Sequence, residues 1–473
     1  MSRTRIVATL GPATDPPDVL RDLLAAGVDV VRLNTAHGTQ EDHQRRLDAA
    51  RAAAAELGRP LASLLDLQGP KVRVGHIPPP GLSLRPEAQV VLSSRPDATP
   101  PEAIPVEYEP LPREVRPGDV LHLDDGNLTL RVEECDPQDI RCRVLRGGLL
   151  TAHKGINAPG ASLSAPALGE KDLADASFGV AAGVDVLALS FVRSAADVLR
   201  LRAHAPGPAI IAKIERPEAL AEIDAILEAA DGIMVARGDL GVEIPLEDVP
   251  RAQRRLLLAA NRAGKPAITA TQMLESMVTH PRPTRAEATD VYVAVTQLTD
   301  ALMLSAETAV GAYPVEAVRR MAAVAAAAER EPDLQGALRA NLDVARDATE
   351  AVAQAACEIA AELGAKAIVT CTSSGSTARL VAKYRPAVPL LALAWDGAVR
   401  RRLMLTWGVT PVASPPIRST DHMLTTAAQA VLEAGLGARG DLIVITAGVP
   451  AGTPGNTNLI KVHRLGEPLT AGP

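Results

Sequence analysis

From Arg5 onward, short β-branched apolar runs alternate with alanine-rich stretches whose polar residues recur at helical spacing: RIVATLG, DVLRDLLAAG, VDVVRLN, a helical stretch from Gln40 to Leu57, then LASLLDL. That rhythm predicts strands joined by helices, the grammar of a parallel sheet. After Arg73 it changes. Prolines crowd HIPPPGLSLRP and DATPPEAIPVEYEPLP, and short alternating runs such as VLHLDD, LTLRVEE and IRCRVLRGG predict an inserted β domain. The strand–helix alternation then resumes through VDVLALSFV, AIIAKIE, GIMVARG, KPAITATQ and DALMLSAE. With the three strands before the insertion this makes about eight, the number that closes a (β/α)8 barrel. A break at EPDLQGALRANLD precedes a further α/β pattern, with strands expected at AKAIVTCT, VPLLALA, DLIVITAG and NLIKVHRL. The expected architecture is α/β: a (β/α)8 barrel over 1–71 and 161–335, a small β domain over 72–160, and a C-terminal α/β domain over 345–473.

A barrel of this kind works at the carboxyl ends of its strands. Asn34, Asp66, Ser190, Lys213, Arg237, Thr271 and Ser305 all fall at or beside such ends. Side chains alternate along a strand, so Lys213 and Glu215 point the same way, and Asp239 follows just past the next strand. An isolated Lys-x-Glu at a strand end is most simply a solvated ion pair. Two carboxylates and an ammonium at consecutive strand ends instead suit phosphate chemistry on Mg²⁺.

Composition narrows the alternatives. The 473 residues are 47% hydrophobic but only 2% aromatic, so the cores are aliphatic and the composition argues against base-stacking platforms. Net charge is -7 and no run of lysines or arginines could track a phosphate backbone, which argues against nucleic acid. Cys135, Cys142, Cys357 and Cys371 form no CxxC or zinc spacing and read as reduced thiols. With no apolar run of about 18 residues, a membrane span is not expected and the cytoplasm is the expected location.

The motifs TLGPAT, RLNTAHG, DLQGPKVR, HKGINAPG, AKIE, MVARGDLG, ATQMLESM, PRPTRAE and LSAET stand in the order found in pyruvate kinases, and the chain resembles that family over almost its whole length. The resemblance implies a barrel, a mobile lid inserted after its third strand, a C-terminal regulatory domain and, in most members, a homotetramer. It implies phosphoryl transfer from phosphoenolpyruvate to ADP, giving pyruvate and ATP in the last step of glycolysis. By the same resemblance, Glu215 and Asp239 hold Mg²⁺, or Mn²⁺ in its place, and Lys213 stabilises the phosphoryl group in flight. The N–H groups of Gly238 and Asp239 receive the substrate carboxylate, Thr271 orients a proton relay, and Arg32 binds substrate. Asn34, His37, Arg73 and Lys154 are implied nucleotide contacts, Lys154 from the lid. In the C-terminal domain Thr372, Ser373, Ser374, Gly375, Ser376 and Thr377 resemble a loop holding the phosphate of an allosteric effector, a sugar phosphate or nucleotide. The later loop GVPAGTPGNTN lacks the tryptophan and arginine of fructose-bisphosphate-responsive animal enzymes.

The chain departs from the family pattern where many members bind K⁺. Asn34 and Asp66 remain as a remnant of that site, but Ala36 replaces a serine, Leu67 a threonine and Lys71 a glutamate. A fixed ammonium at Lys71 is expected to stand in for K⁺, since two cations in one small site repel, and the chain resembles the potassium-independent, lysine-bearing branch. Ala306 in LSAET and Tyr292 and Val293 after PTRAE are further departures, and the segment after PTRAE is a helix that lies by a subunit interface in the family. The alternatives are a Mg²⁺-dependent lyase or aldolase on a similar barrel, and a catalytically silent effector-binding protein.

Overall fold

The computed structural model describes residues 2–161, 163–331, 347–417, 419–449 and 457–467. Apart from Glu331 the EPDLQGALRANLD break lies outside them, as do the proposed domain limits at 335 and 345 and the middle of GVPAGTPGNTN.

Eight parallel strands close into a barrel: Arg5–Thr9, Val30–Asn34, Ala62–Asp66, Val186–Leu189, Ala209–Ile214, Gly232–Ala236, Ala267–Ala270 and Ala301–Leu304. The eighth pairs with the first, Arg5 opposite Ala301. Nearly every residue of these strands is buried, because one face meets the surrounding helices and the other the barrel interior. That two-sided burial is why they read as continuous apolar runs in the sequence.

The first motif to find a structural reason is PRPTRAE. Thr284 caps the helix Arg285–Thr296 by accepting from the Glu287 N–H, and Glu287 reaches back to the Thr284 N–H (2.7 Å). The same carboxylate accepts from the Ser276 N–H (2.7 Å) and hydroxyl (2.5 Å), fastening the ATQMLESM loop above the seventh strand.

The inserted segment forms a six-stranded, mainly antiparallel sheet in the order Ile156–Asn157, Val120–Leu123, Leu128–Cys135, Asp139–Arg146, Gln89–Ser93, Ile104–Pro105, with Leu82–Leu84 pairing separately with Gly148–Leu150. It has its own aliphatic core, from Val72 and Leu92 to Val144 and Ile156. Its two crossings to the barrel are zipped together, since the Ile156 N–H donates to the Val72 carbonyl (2.8 Å) and Arg73 bridges to Gly155.

The C-terminal sheet has five strands, Val409–Ala413, Leu390–Ala394, Ile368–Cys371, Leu442–Gly448 and Thr457–Arg464, the last antiparallel. Val409–Ala413 was not among the strands expected. It carries Pro411 and lies at the sheet edge, where a missing N–H costs no ladder bond. Just before it, Met404 and Leu405 join the inward-pointing Val7, Val30, Leu64, Ile211, Met234 and Met303, so this segment closes the barrel mouth opposite the strand carboxyl ends.

Candidate active site

At those carboxyl ends opens a cleft of about 940 Å³ lined by Lys71, Arg237, Gly238, Asp239, Thr271 and Ser305 from the barrel side and His122, Asp125, Asn127 and Arg146 from the lid. Next to its Asp239, a charged cluster is built around Lys213. The Lys213 Nζ lies 3.0 Å from Glu215 Oε1 and 3.2 Å from Asp66 Oδ1, and donates to the Ser190 hydroxyl at 2.7 Å. Burial works against its charge, but Asp66 and Glu215 more than offset this and hold the ammonium protonated above its ordinary range. Asp66 is matched on its other side by Arg32 Nε (2.7 Å), and Arg32 Nη1 donates to Thr9 Oγ1 (2.9 Å). Burial would raise the Asp66 carboxyl, yet Lys213 and Arg32 together hold it below the usual carboxylate range.

Glu215 is fully buried. One oxygen, Oε2, accepts from the Phe191 N–H (2.6 Å); the other, Oε1, has the Lys213 ion pair but no aligned hydrogen bond. Burial pushes this carboxyl up, a shift that Lys213 opposes and the neighbouring Asp239 carboxylate reinforces. A buried carboxylate oxygen with only the Lys213 ammonium beside it, next to a second carboxylate, offers hard oxygen donors to a cation. Among the described residues no group of three or more His, Cys, Asp or Glu side chains converges as a metal site. Two carboxylates as oxygen donors fit Mg²⁺, which keeps waters and substrate oxygens in its shell.

The backbone around this cluster is held in uncommon geometry. Thr271, Gln272 and Phe191 have φ of 68°, 54° and 53°, left-handed values that are unusual for non-glycine residues and most so for β-branched Thr271. Thr271 is kept there by its neighbours: Gly238 N–H donates to its Oγ1 (2.8 Å) and Arg237 Nη2 to its carbonyl (2.7 Å), with Arg237 anchored on Asp290 (2.6 Å). The Gly238 N–H expected to receive a substrate carboxylate is thus engaged by Thr271, so substrate binding there requires an exchange of partners. Gly238 and Asp239 open the short helix Arg237–Glu243 directly after the sixth strand.

The nucleotide candidates converge only partly. His37 lies near Arg73 and Arg32, and burial together with those cations lowers its pKa. Arg73 donates to the His153 carbonyl of the lid (2.9 Å), and Lys154 pairs with Asp124 at 2.6 Å. Asn34 accepts from the Ala36 N–H and so shapes its own loop. Asp124 and Asp125 were not anticipated as site residues. They form the lid turn ending at Gly126, all three with positive φ, and the dipeptide Asp-Asp before glycine was the signal that could have found them.

The Lys71 ammonium lies 3.1 Å from Asp239 Oδ1 and 3.1 Å from Asp125 Oδ1, bridging barrel and lid. Asp66 already faces two cations, and a third would be repelled. Gly155 makes room for the lysine stem, since a Cβ there would stand 2.5 Å from Lys71 Cε.

In the C-terminal domain the segment Thr372–Thr377 runs from the end of the strand Ile368–Cys371 into the first two residues of the helix Ser376–Ala382. Thr372 Oγ1 accepts from the Gly375 N–H (2.9 Å) and the buried Thr377 hydroxyl pairs with Thr457 (2.8 Å), so both are internal braces. Ser373, Ser374 and Ser376 stay accessible.

A closed parallel barrel with a β lid, and a pair of carboxylates flanking a buried lysine under that lid, define a barrel phosphotransferase with a second, α/β domain. Residues 1–318 match the model of the pyruvate kinase barrel domain, and residues 350–463 that of the pyruvate kinase alpha/beta domain. Curated pyruvate kinases from Geobacillus stearothermophilus and Bacillus licheniformis are 47% and 44% identical to the chain over 99% and 100% of its length. One from Staphylococcus aureus is 42% identical; the chain covers 81% to 82% of these three relatives. The chain belongs to the pyruvate kinase family, and is a phosphotransferase. Neither the lyase nor the effector-only reading finds support among these relatives. No helix among the described residues is long and apolar enough to cross a membrane.

Proposed function

We propose that the chain transfers the phosphoryl group of phosphoenolpyruvate to ADP in the cleft between barrel and lid, as a cytoplasmic homotetramer. The observation that carries the reading is the cluster in which Lys213 lies within 3.2 Å of Asp66, Glu215 and Ser190. A transferring phosphoryl group spreads negative charge over its equatorial oxygens, and a preoriented ammonium lowers the energy of that charge at no cost of reorganisation. Glu215 and Asp239 would hold Mg²⁺, which when bound supplies Lewis-acid charge at the same oxygens. Arg32, fixed by Asp66 and Thr9, offers a planar fork to the substrate phosphate. Thr271 is too weak an acid to act alone and orients the proton delivered to the enolate. Arg73, His37, Asn34 and Lys154 border the nucleotide phosphates, with the lid over 72–160 closing to exclude water. The loop Thr372–Thr377 binds a phosphorylated effector through its outward serines. A coupled assay of ATP formed from phosphoenolpyruvate and ADP tests this directly. Activity is expected with Mg²⁺ or Mn²⁺ and to vanish on chelation; ATP formation undiminished by chelator would sink the metal assignment.

Lys71 makes the enzyme independent of K⁺. Its ammonium already supplies positive charge beside Asp239, while Asp66 is matched by Arg32 and Lys213. Exchanging K⁺ for a bulky tetraalkylammonium ion is expected to leave the rate within about twofold. Loss of most activity in that exchange would show Lys71 does not play this part.

A further inference from the structure

Behind the cleft, three buried polar side chains from three separate segments meet on one oxygen. Glu243, the last residue of the helix that opens with Gly238 and Asp239, accepts at Oε1 from Asn157 Nδ2 (2.8 Å) and pairs there with Arg216 Nη1 (3.3 Å). Asn157 lies on the lid's returning strand, paired with His122 across the sheet. Arg216 directly follows Glu215 and also reaches the Ala161 carbonyl further along the return (3.5 Å). Their exposures are 5% for Glu243, 5% for Asn157 and 8% for Arg216.

Two features make this more than packing. Glu243 Oε2, Asn157 Oδ1 and Arg216 Nε have no hydrogen-bond partner in the protein, so a single carboxylate oxygen serves both neighbours. Glu243 also borders two spaces at once, the catalytic cleft and a separate cavity of about 40 Å³ lined by Lys71, Asn157, Arg193 and Arg216. A shift of the lid's returning strand therefore pulls on the far end of the helix whose near end carries Asp239, and on the turn that follows Glu215. Arg193 steadies the next stretch of the return through the carbonyls of Leu163 (2.8 Å) and Ala165 (3.1 Å), so the returning strand meets the far end of the catalytic helix through Asn157 and Glu243, while Lys71 ties its near end, at Asp239, to Asp125 of the lid turn.

We propose that Glu243 is a positioning residue for phosphoryl transfer, tying lid closure through Asn157 to the placement of Asp239 and Glu215. The proposal rests on the phosphotransfer reading above, and extends it to the far end of the helix that carries Asp239.

The test uses the full-length chain with Glu243→Ala, Glu243→Gln, Asn157→Ala and the double Asn157→Ala/Glu243→Ala. The readouts are kcat and KM with phosphoenolpyruvate and ADP, and hydrogen exchange of lid amides without substrate. Glu243→Ala is expected to lower kcat roughly 10- to 100-fold, the scale of an ångström misplacement, and to speed exchange around the Val72 and Ile156 crossings, with KM for phosphoenolpyruvate within about threefold. Glutamine keeps an acceptor for both partners and should recover most of kcat. The double variant should be no slower than Glu243→Ala, because one link is broken in both. Should Glu243→Ala unfold, the Asn157→Ala and Glu243→Gln pair carries the same comparison. A kcat within about twofold of wild type in Glu243→Ala, no recovery with glutamine, or additive losses would overturn the proposal. A wild-type chain that makes no ATP sinks the phosphotransfer reading instead, while lid exchange still reports on the link.

Discussion

Lys213→Met is expected to slow phosphoryl transfer from phosphoenolpyruvate to ADP by about three orders of magnitude, the upper range for removing one preorganised electrostatic group. Methionine keeps the length of the stem and removes only the charge and its hydrogen bonds. The remaining site is not dismantled: Asp66 keeps Arg32, and Glu215 Oε2 keeps the Phe191 N–H. Leaving two buried carboxylates short of a cation does cost stability, by a few kcal/mol where no counter-charge compensates. Melting temperature must therefore be followed alongside rate, with Mg²⁺ present to restore some of the missing charge. The separating measurement is deuterium exchange into the methyl group of pyruvate, which reports enolate protonation. Thr271 and its partners Gly238 and Arg237 are untouched by the substitution, so exchange should persist within about tenfold while transfer collapses. Transfer at near wild-type rate in a folded Lys213→Met protein would remove Lys213 from its assigned role, and equal loss of both reactions would mean the lysine merely holds the site together.

How far this site could be read in advance depended on how local its determinants are. The barrel strands were legible because each is buried on both faces, which imposes a continuous apolar run regardless of what the strand later carries. Lys213 and Glu215 were legible for the same reason, since strand alternation alone puts them on one side. What escaped was set by contacts distant in sequence. Lys71 is drawn to Asp239 and Asp125, 168 and 54 residues away, and no local pattern could say that Asp66 was already neutralised from two sides. The Asn157–Glu243–Arg216 meeting was invisible for the same cause: each is an ordinary polar residue until three segments bring them to one oxygen. The Thr372–Thr377 loop was legible as a strand-to-helix turn, but which hydroxyls face inward depends on Thr457, from a strand formed 80 residues later. The edge strand Val409–Ala413 failed by a different route, because proline at its centre is a local signal against strand that only edge position overrides.

The junction between barrel and C-terminal domain should be the other place where one substitution has a large effect. Arg385→Met is expected to destabilise the chain by about 3 kcal/mol, the lower end for breaking a buried ion pair. Arg385 is 4% exposed, donates Nη1 to Asp300 Oδ1 (3.1 Å) and Nη2 to the Leu298 carbonyl (2.6 Å), and lies over the Trp407 ring at 4.9 Å. Asp300 precedes the eighth barrel strand and Trp407 follows the Met404–Leu405 plug, so the guanidinium joins the two domains where the barrel mouth is closed. The loss falls short of the largest values because Asp300 keeps the N–H donors of Ala267 (3.0 Å) and Trp407 (3.2 Å). Leu298's carbonyl loses its side-chain donor, and Trp407 loses the nearer of the two guanidinium groups over its ring, keeping Arg3 at 5.4 Å. With several domains, unfolding is not expected to be two-state, and the effect should appear as an earlier transition in calorimetry rather than a uniform shift. Trp407 offers a specific probe: it is buried, and the chain's other tryptophan, Trp395, is 38% exposed, so a red shift in emission at the early transition reports separation at this junction. A calorimetric profile and emission spectrum indistinguishable from wild type would show that the backbone donors alone suffice for Asp300, and that the plug of Met404 and Leu405 holds the two domains together without the arginine.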